Sequence, residues 1–443
     1  MQSSPDSITI TGLFRAFNPR ILIAVFAAAF FVRIGFLTLH DRPLFSDEKE
    51  YHELATSLST TGAYHFHGQP TAYRPIGYPF VLSLIYRISS QSIQAAKIFQ
   101  SVIDSLTCLL LMLLAGSISN RAGLIAGFSW ALFPPAIVYS TMLFSETLSV
   151  FGLVLLALFF ITDTTSTLRT VLFAFLAGFL ILVKPFLLLF VLILLLARSR
   201  FHLSRVHVIA FIPAVLVVIL PWAIRNTLDV HDFTLSTNGG MNLFIGNNPE
   251  ATGGYSGHFP KELSDPTLSE ADRDHRAALM AVQFIIHHPG QFLVNGAKKI
   301  AQLLRGESEL AVMAFHPNPT NISTHFAEKY RSLPLSIPLI LTLPTFLVMI
   351  TGLFGFITGE RDRLFWYVGI LLLSVFLVHA VFFGGSRFHF LFMPFAIVFA
   401  SGAVLTLRPT LRSLGVRQMI LLSTGLVFLV TIWTYELVYL AIR

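Results

Sequence analysis

Two carboxylates stand side by side in FSDEKEYHELA (residues 45–55), just after an apolar run in a chain that is only 12% charged. Asp47 and Glu48, followed by Glu50, Tyr51 and Glu53, admit two readings. One is a helix entrance, with Ser46 as N-cap, acids in a first turn that the helix dipole favours, and Lys49 paired with Glu53 at i, i+4. The other is chemical. A carboxylate held at a membrane boundary is partly desolvated, which raises its pKa and strengthens it as a general base. The readings are compatible, because a capped helix holds a catalytic carboxylate still.

Cations recur further along: Arg74 in TAYRPIGYP, Lys97 at the start of an apolar run, Lys184 in LVKPF, Arg225 in PWAIRN and Arg387 in GGSRFHF. Any one of them can snorkel from an apolar helix to the interface. Together, opposite an acidic pair, they suit a bound anion; a phosphate fits, because Arg offers a bidentate fork and Lys a compact charge. Glu146 in TMLFSETL either begins a helix capped by Ser145 or orients a substrate hydroxyl or a basic side chain. His65 and His67 in AYHFHGQ form a pair with no third ligand nearby, short of a metal site. His287 and His288, before Pro289, read as cations at a helix C-terminus. No GxGxxG, Walker-A, GxSxG or HExxH motif occurs, so nucleotide hydrolysis, serine hydrolysis and zinc proteolysis lack a signature.

Such side chains need a scaffold, and composition says which kind. With 54% hydrophobic residues and 43 Phe among 443, no globular core can hide so much apolar surface. The expected class is an all-α polytopic membrane protein. Runs suited to crossing about 30 Å of hydrocarbon fall near 21–39, 98–116, 122–140, 147–162, 169–183, 186–197, 206–222, 335–357, 364–383, 390–407 and 418–440, about eleven spans. The first reads as a retained span, not a cleaved signal peptide. The formal charge of +7 lies mostly in short connectors, a topology signal and not a nucleic-acid surface.

With the N-terminus inside, Arg121, Arg169, the group Arg198, Arg200 and Arg205, the pair Arg361 and Arg363, and the group Arg408, Arg412 and Arg417 all fall in inner connectors. Segments 40–97 and 223–334 then lie outside, with short turns at 141–146, 184–185 and 384–389, and chemistry is expected there. The chain divides into a membrane module, 1–222, holding the first outer loop (40–97); an extracytoplasmic loop region, 223–334; and C-terminal membrane helices, 335–443. PIGYPFVLSLIYRI (75–88) is too short to span and would reverse the parity, so it is expected as an amphipathic helix on the outer surface; another helix is expected at 268–288. Asp104, within the second span, must face the bundle interior, where a buried Arg or Lys can partner it. Cys108 is the only cysteine, which excludes an intrachain disulfide. The sequon at Asn321 matters only in a eukaryotic secretory compartment.

The succession D-E-x-x-Y-x-x-L-A (Asp47, Glu48, Tyr51, Leu54, Ala55), R-P-x-G-Y-P (Arg74 to Pro79) and K-x-x-Q at the second span resembles the GT-C membrane glycosyltransferases. The similarity is to a bacterial branch with lipid A aminoarabinose transferases and protein O-mannosyltransferase-like enzymes. PWAIRN, STNGGMNLFIGNNPEATGGY (ending at 255) and SRFHFLFMPF (386–395) extend it. The resemblance implies a GT-C type bundle with outer juxtamembrane helices and a moderate extracytoplasmic loop domain, in a bacterial inner membrane with the active site on the periplasmic or extracellular side. It implies transfer of a sugar from a polyprenyl-phosphate donor to a glycan, lipid or protein acceptor, with inversion at the anomeric carbon.

Asp47 would then be the general base, with Glu48 and Glu146 supporting it. Arg74, Lys97, Lys184, Arg225 and Arg387 would bind the donor phosphate, and Tyr51, Tyr78, Asn242 and His389 would position substrate. No cofactor is required, and a divalent cation on the carboxylates is left open. R-P-I-G-Y-P departs from the K-P-P pattern of the aminoarabinose transferases, so sugar and acceptor stay unspecified. Two rivals remain. A transporter or flippase of a lipid-linked glycan would carry internal repeats and midplane ionisable residues, whereas only Asp104 is deep here. A non-catalytic assembly subunit would have no need of an intact Asp47.

Overall fold

Apolar runs in lipid must satisfy their backbone amides internally, and helices do so. A computed structural model describes residues 9–40, 42–162, 166–201, 204–257, 259–317 and 326–442. Among them the only sheet is a hairpin, His65–Phe66 against Gln69–Pro70; everything else regular is helical.

Seven helices among the described residues are long and apolar enough to cross a membrane: Pro19–Leu39, Ile93–Gly116, Arg205–Val230, Ser336–Thr358, Arg363–Val381, Met393–Arg412 and Val416–Val438. The span expected at 122–140 is a broken helix, Asn120–Ala131 and Pro134–Ser140, bent by 55° where Pro134 cannot continue the hydrogen-bond ladder. Counting it and a second bent pair gives up to nine. The remaining three expected spans are helices of 16, 17 and 10 residues, Glu146–Ile161, Thr167–Val183 and Leu187–Leu196, so a count of about eleven holds only if these shorter helices cross as well.

Asp104 finds its partner in the first long helix. Arg33 Nε donates to Asp104 Oδ2 at 2.6 Å, and Trp130 Nε1 donates to Oδ1 at 3.0 Å. The other guanidinium nitrogens of Arg33 donate to the carbonyls of Ala29, Trp130 and Ala131, and both ionic side chains are fully buried. One intramembrane ion pair therefore ties three helices together.

The segment expected to lie on the surface is a 13-residue helix, Gly77–Ser89, with Tyr78, Leu82, Ser83 and Tyr86 on its buried face and Phe80, Leu84 and Ile88 exposed. Its first residue has to be glycine: a Cβ there would sit 2.6 Å from the Val183 nitrogen, so only Gly77 lets this helix start against the backbone leading into Lys184. Between residues 223 and 334, helices Gly239–Gly246, Glu270–His287, Pro289–Leu304 and Ser308–Phe315 pack on the same end of the bundle. The middle two meet at 112°, where Pro289 follows His288. Asn321 lies outside the described residues.

Candidate active site

The helix Asp47–Thr61 begins without the cap its sequence suggests. Ser46 makes no capping bond and adopts φ 47°, a left-handed conformation unusual for a residue with a Cβ; its hydroxyl instead lies 3.4 Å from Asp47 Oδ1. Lys49 does not take Glu53 either, since Glu53 accepts from the His67 backbone at 2.5 Å and faces the His67 ring. From this turn Asp47, Glu50 and Tyr51 project on one helix face, at i, i+3 and i+4, while Glu48 turns away.

Asp47 is gripped on both oxygens. Arg74 Nη2 donates to Oδ1 at 2.7 Å and Arg387 Nη1 to Oδ2 at 2.7 Å. Arg74 also donates through Nε to Glu50 at 2.6 Å, and Arg387 through Nε to Glu146 Oε1 at 2.8 Å. Lys184 closes the row with Nζ 3.1 Å from the same Glu146 oxygen. Three acids and three bases thus alternate, Glu50, Arg74, Asp47, Arg387, Glu146, Lys184, and their charges cancel. The row is open at one end: the side chains of Asp47, Arg74 and Arg387 are 16–20% exposed, that of Glu146 1%.

This arrangement corrects the expected electrostatics. Burial works to raise the Asp47 pKa, but Arg74 and Arg387, with help from Lys184, outweigh it and hold the carboxyl well below the usual range. Asp47 is therefore firmly ionised and, in this arrangement, a weak base. Burial pushes the Tyr51 phenol up to about 12 against the pull of Arg74, so it remains a neutral hydroxyl. Its ring packs edge-on to Tyr78 at 4.9 Å and under the Arg74 guanidinium at 5.6 Å.

Other expected site residues do different work. Glu48 is fully buried, accepts from the Leu143 amide at 2.8 Å and pairs with Arg42 at 2.8 Å, so it holds the turn before Glu146 and has no contact with Asp47's arginines. Arg225 donates to the carbonyls of Thr71 and Tyr64, at 2.7 and 3.0 Å, and pairs with Asp229. It braces the segment that leads from the hairpin to Arg74 instead of facing the acidic row. Tyr78 donates to Gln100, which donates in turn to the Met142 carbonyl, a link between helices. His389 is sealed between the Leu303 carbonyl and Glu307, at 3.0 and 2.9 Å. Lys97 is buried one turn before Gln100, and Asn242 lies on the helix that packs against Glu270–His287. His65, His67, His287 and His288 join no metal set; among the described residues no three His, Cys, Asp or Glu side chains gather around one point.

Three residues in or beside this arrangement were not among the expected ones. Glu50 shares Asp47's face by spacing alone, a signal that was present. Glu270 receives hydrogen bonds from the Thr71 hydroxyl at 2.6 Å and the Ala72 amide at 2.8 Å, bracing the same segment before Arg74 that Arg225 holds. His379 lies at the end of an apolar helix and is 4% exposed; no local pattern marks it.

Residues 73–224, about a third of the chain, match the family described as dolichyl-phosphate-mannose-protein mannosyltransferase. The match includes Arg74, Tyr78, Lys97, Glu146 and Lys184, and leaves Asp47 and Arg387 outside. Among solved structures the chain is similar to ArnT from Cupriavidus metallidurans bound to undecaprenyl phosphate, at 14% identity and TM-score 0.42, covering 90% of this chain and 78% of that one. It is also similar to an Archaeoglobus fulgidus oligosaccharyltransferase tethered to an acceptor peptide, at 14% identity and TM-score 0.47, covering 96% of this chain and 55% of that one. The chain thus spans about half the length of the oligosaccharyltransferase. No curated protein matches the chain. Over residues 73–224 the family match bears out the resemblance to GT-C glycosyltransferases that the motifs carry.

Proposed function

We propose that this multi-pass membrane protein is an inverting glycosyltransferase that moves a sugar from a polyprenyl-phosphate donor to an acceptor hydroxyl, with Asp47 as general base. The observation that carries the reading is the Asp47 carboxylate bridged by Arg74 and Arg387 at the open end of a charge-balanced row. A carboxylate held this way resembles a bound phosphate oxygen. A donor phosphate entering the row competes for Arg387 and Lys184, and each hydrogen bond it takes leaves Asp47 less stabilised as an anion and therefore more basic. The base is thereby switched on by the donor it serves.

In the transfer step the acceptor oxygen attacks C1 as its proton passes to Asp47. The bond from C1 to the phosphate oxygen breaks on the opposite face, and its electron pair leaves on the polyprenyl phosphate. Arg387 and Lys184 carry the charge gained by that phosphate. Arg74, aligned by Arg225 and Glu270, keeps Asp47 oriented as Arg387 departs. The matched family's description, with its lipid-phosphate-linked mannose, supports the donor class. Cations of the protein already neutralise these carboxylates, so the reaction in this reading needs no divalent metal and proceeds in EDTA. The basic connectors support a row that faces outward, and the resemblance to a bacterial branch of these enzymes supports a bacterial inner membrane.

The test is transfer of radiolabelled sugar from undecaprenyl-phosphate glycosides to an envelope acceptor fraction by the purified protein in nanodiscs with EDTA. Labelled acceptor supports the reading. Movement of the lipid between leaflets without transfer would favour a flippase instead.

A further inference from the structure

His379 packs against Phe186 and Phe388, next to the segments that carry Lys184 and Arg387, and is unaccounted for by the mechanism above. Its Nδ1 donates to the Phe383 carbonyl at 2.8 Å, which places the proton of a neutral ring on that nitrogen and leaves a bare lone pair on Nε2. The Nε2 atom is buried and has no partner among the described residues. The ring lies flat on Phe388 at 4.2 Å and edge-on to Phe186 at 5.6 Å. Phe388 adjoins Arg387, and Phe186 follows Lys184 by two residues, so the imidazole is wedged between the segments carrying the two cations assigned to the donor phosphate. The loop that fixes this geometry is seated without slack: a Cβ on Gly384 would sit 1.9 Å from the Lys299 carbonyl oxygen.

A buried acceptor left unpaired costs stability, and its retention next to a binding site asks for a ligand group that donates to it. Phosphate oxygens at neutral pH offer no such proton, and a lipid tail has none. The sugar on the phosphate is rich in hydroxyls. We infer that His379 Nε2 accepts a hydrogen bond from a hydroxyl of the donor's sugar, making His379 a specificity-determining residue for the glycosyl group. This rests on the glycosyltransferase reading.

Two substitutions separate this role from loop support. His379→Asn keeps a donor for the Phe383 carbonyl but is too short to place an acceptor at the Nε2 position; His379→Gln reaches that position with a carboxamide that supplies an acceptor. Binding of undecaprenyl phosphate and of its mannosyl, glucosyl and galactosyl derivatives is measured with the full chain in nanodiscs. Wild type should bind one glycoside more tightly than the bare carrier. His379→Asn should lose about tenfold for that glycoside with the bare carrier unchanged, and His379→Gln should recover it. Equal loss for both ligands, rescue by Asn and not by Gln, or no sugar preference in wild type would overturn the inference. Failure of wild type to bind any of the lipids would overturn the glycosyltransferase reading itself. On wild type alone, one deoxy derivative of the preferred glycoside should lose the same factor; none doing so would also overturn it.

Discussion

Arg387 joins two carboxylates from distant parts of the chain: Nη1 lies 2.7 Å from Asp47 Oδ2 and Nε 2.8 Å from Glu146 Oε1. Its neighbours on the same short turn reach two further acids, Ser386 to Glu309 at 3.3 Å and His389 to Glu307 at 2.9 Å. SRFH is therefore a hub on which the row is hung, and the geometry demands a planar fork at its second position.

That demand predicts the outcome of Arg387→Lys. Lysine keeps the charge but gathers its donors on one nitrogen, so it cannot reproduce the reach of Nε to Glu146 and of Nη1 to Asp47 from two separate nitrogens, and at least one of the two contacts weakens. Transfer should fall by about 10²-fold, in line with removal of one preorganised donor. Steady-state assays would show it; near wild-type kcat in the variant would mean that the fork is dispensable.

The depressed Asp47 pKa fixes a pH profile. A carboxyl whose folded pKa lies below its ordinary value of about 3.9 stays ionised throughout pH 5 to 8. Its stabilising ion pairs are fully present above that ordinary value and are lost only as pH falls through the lower, folded one. Since kcat/KM reports the free enzyme, Asp47 should contribute no acid limb above about pH 5. Arg74→Gln removes one of the two cations and should move the limb upward, toward neutral pH. A wild-type limb already centred near pH 6.5 would contradict the account.

Glu48 and Asp47 are adjacent in sequence and separate in role. Glu48→Gln keeps an oxygen for the Leu143 amide and weakens the link to Arg42. Transfer should stay within about tenfold of wild type while thermal stability falls modestly. Loss of transfer as severe as for an Asp47 variant would restore Glu48 to the chemistry.

Asp104→Ala strands Arg33 in the bundle and should cost about 3–5 kcal/mol, read as a large drop in unfolding temperature in detergent. The double change Arg33→Met with Asp104→Leu removes both charges and should recover most of that loss. A single variant as stable as wild type would show that the pair bears no such weight.

Much of this was legible in the sequence because lipid imposes simple rules. Hydropathy located the long helices, and the positive-inside bias put Asp47, Arg74, Glu146, Lys184 and Arg387 on one side; the structure brings all five into one row. Broken and short helices were less legible, since Pro134 and the 10-residue Leu187–Leu196 interrupt the length on which span counting depends. Roles were harder than places. Arg225 and His389 carry motif residues yet bond to backbone and Glu307, and only tertiary contacts could tell a brace from a ligand. The direction of the Asp47 pKa is not legible in the sequence, because burial raises it while Arg74 and Arg387, which lower it, reach the carboxylate only through the tertiary fold.

The central claim is that Asp47 takes the acceptor's proton. It is tested most directly by single-turnover sugar transfer from radiolabelled undecaprenyl-phosphate glycosides, comparing wild type with Asp47→Asn at matched donor occupancy. The account predicts normal or tighter donor binding by the variant, because Arg74 and Arg387 are released to the phosphate, with transfer reduced at least about 10²-fold. Donor bound and transferred by Asp47→Asn at the wild-type rate would contradict it.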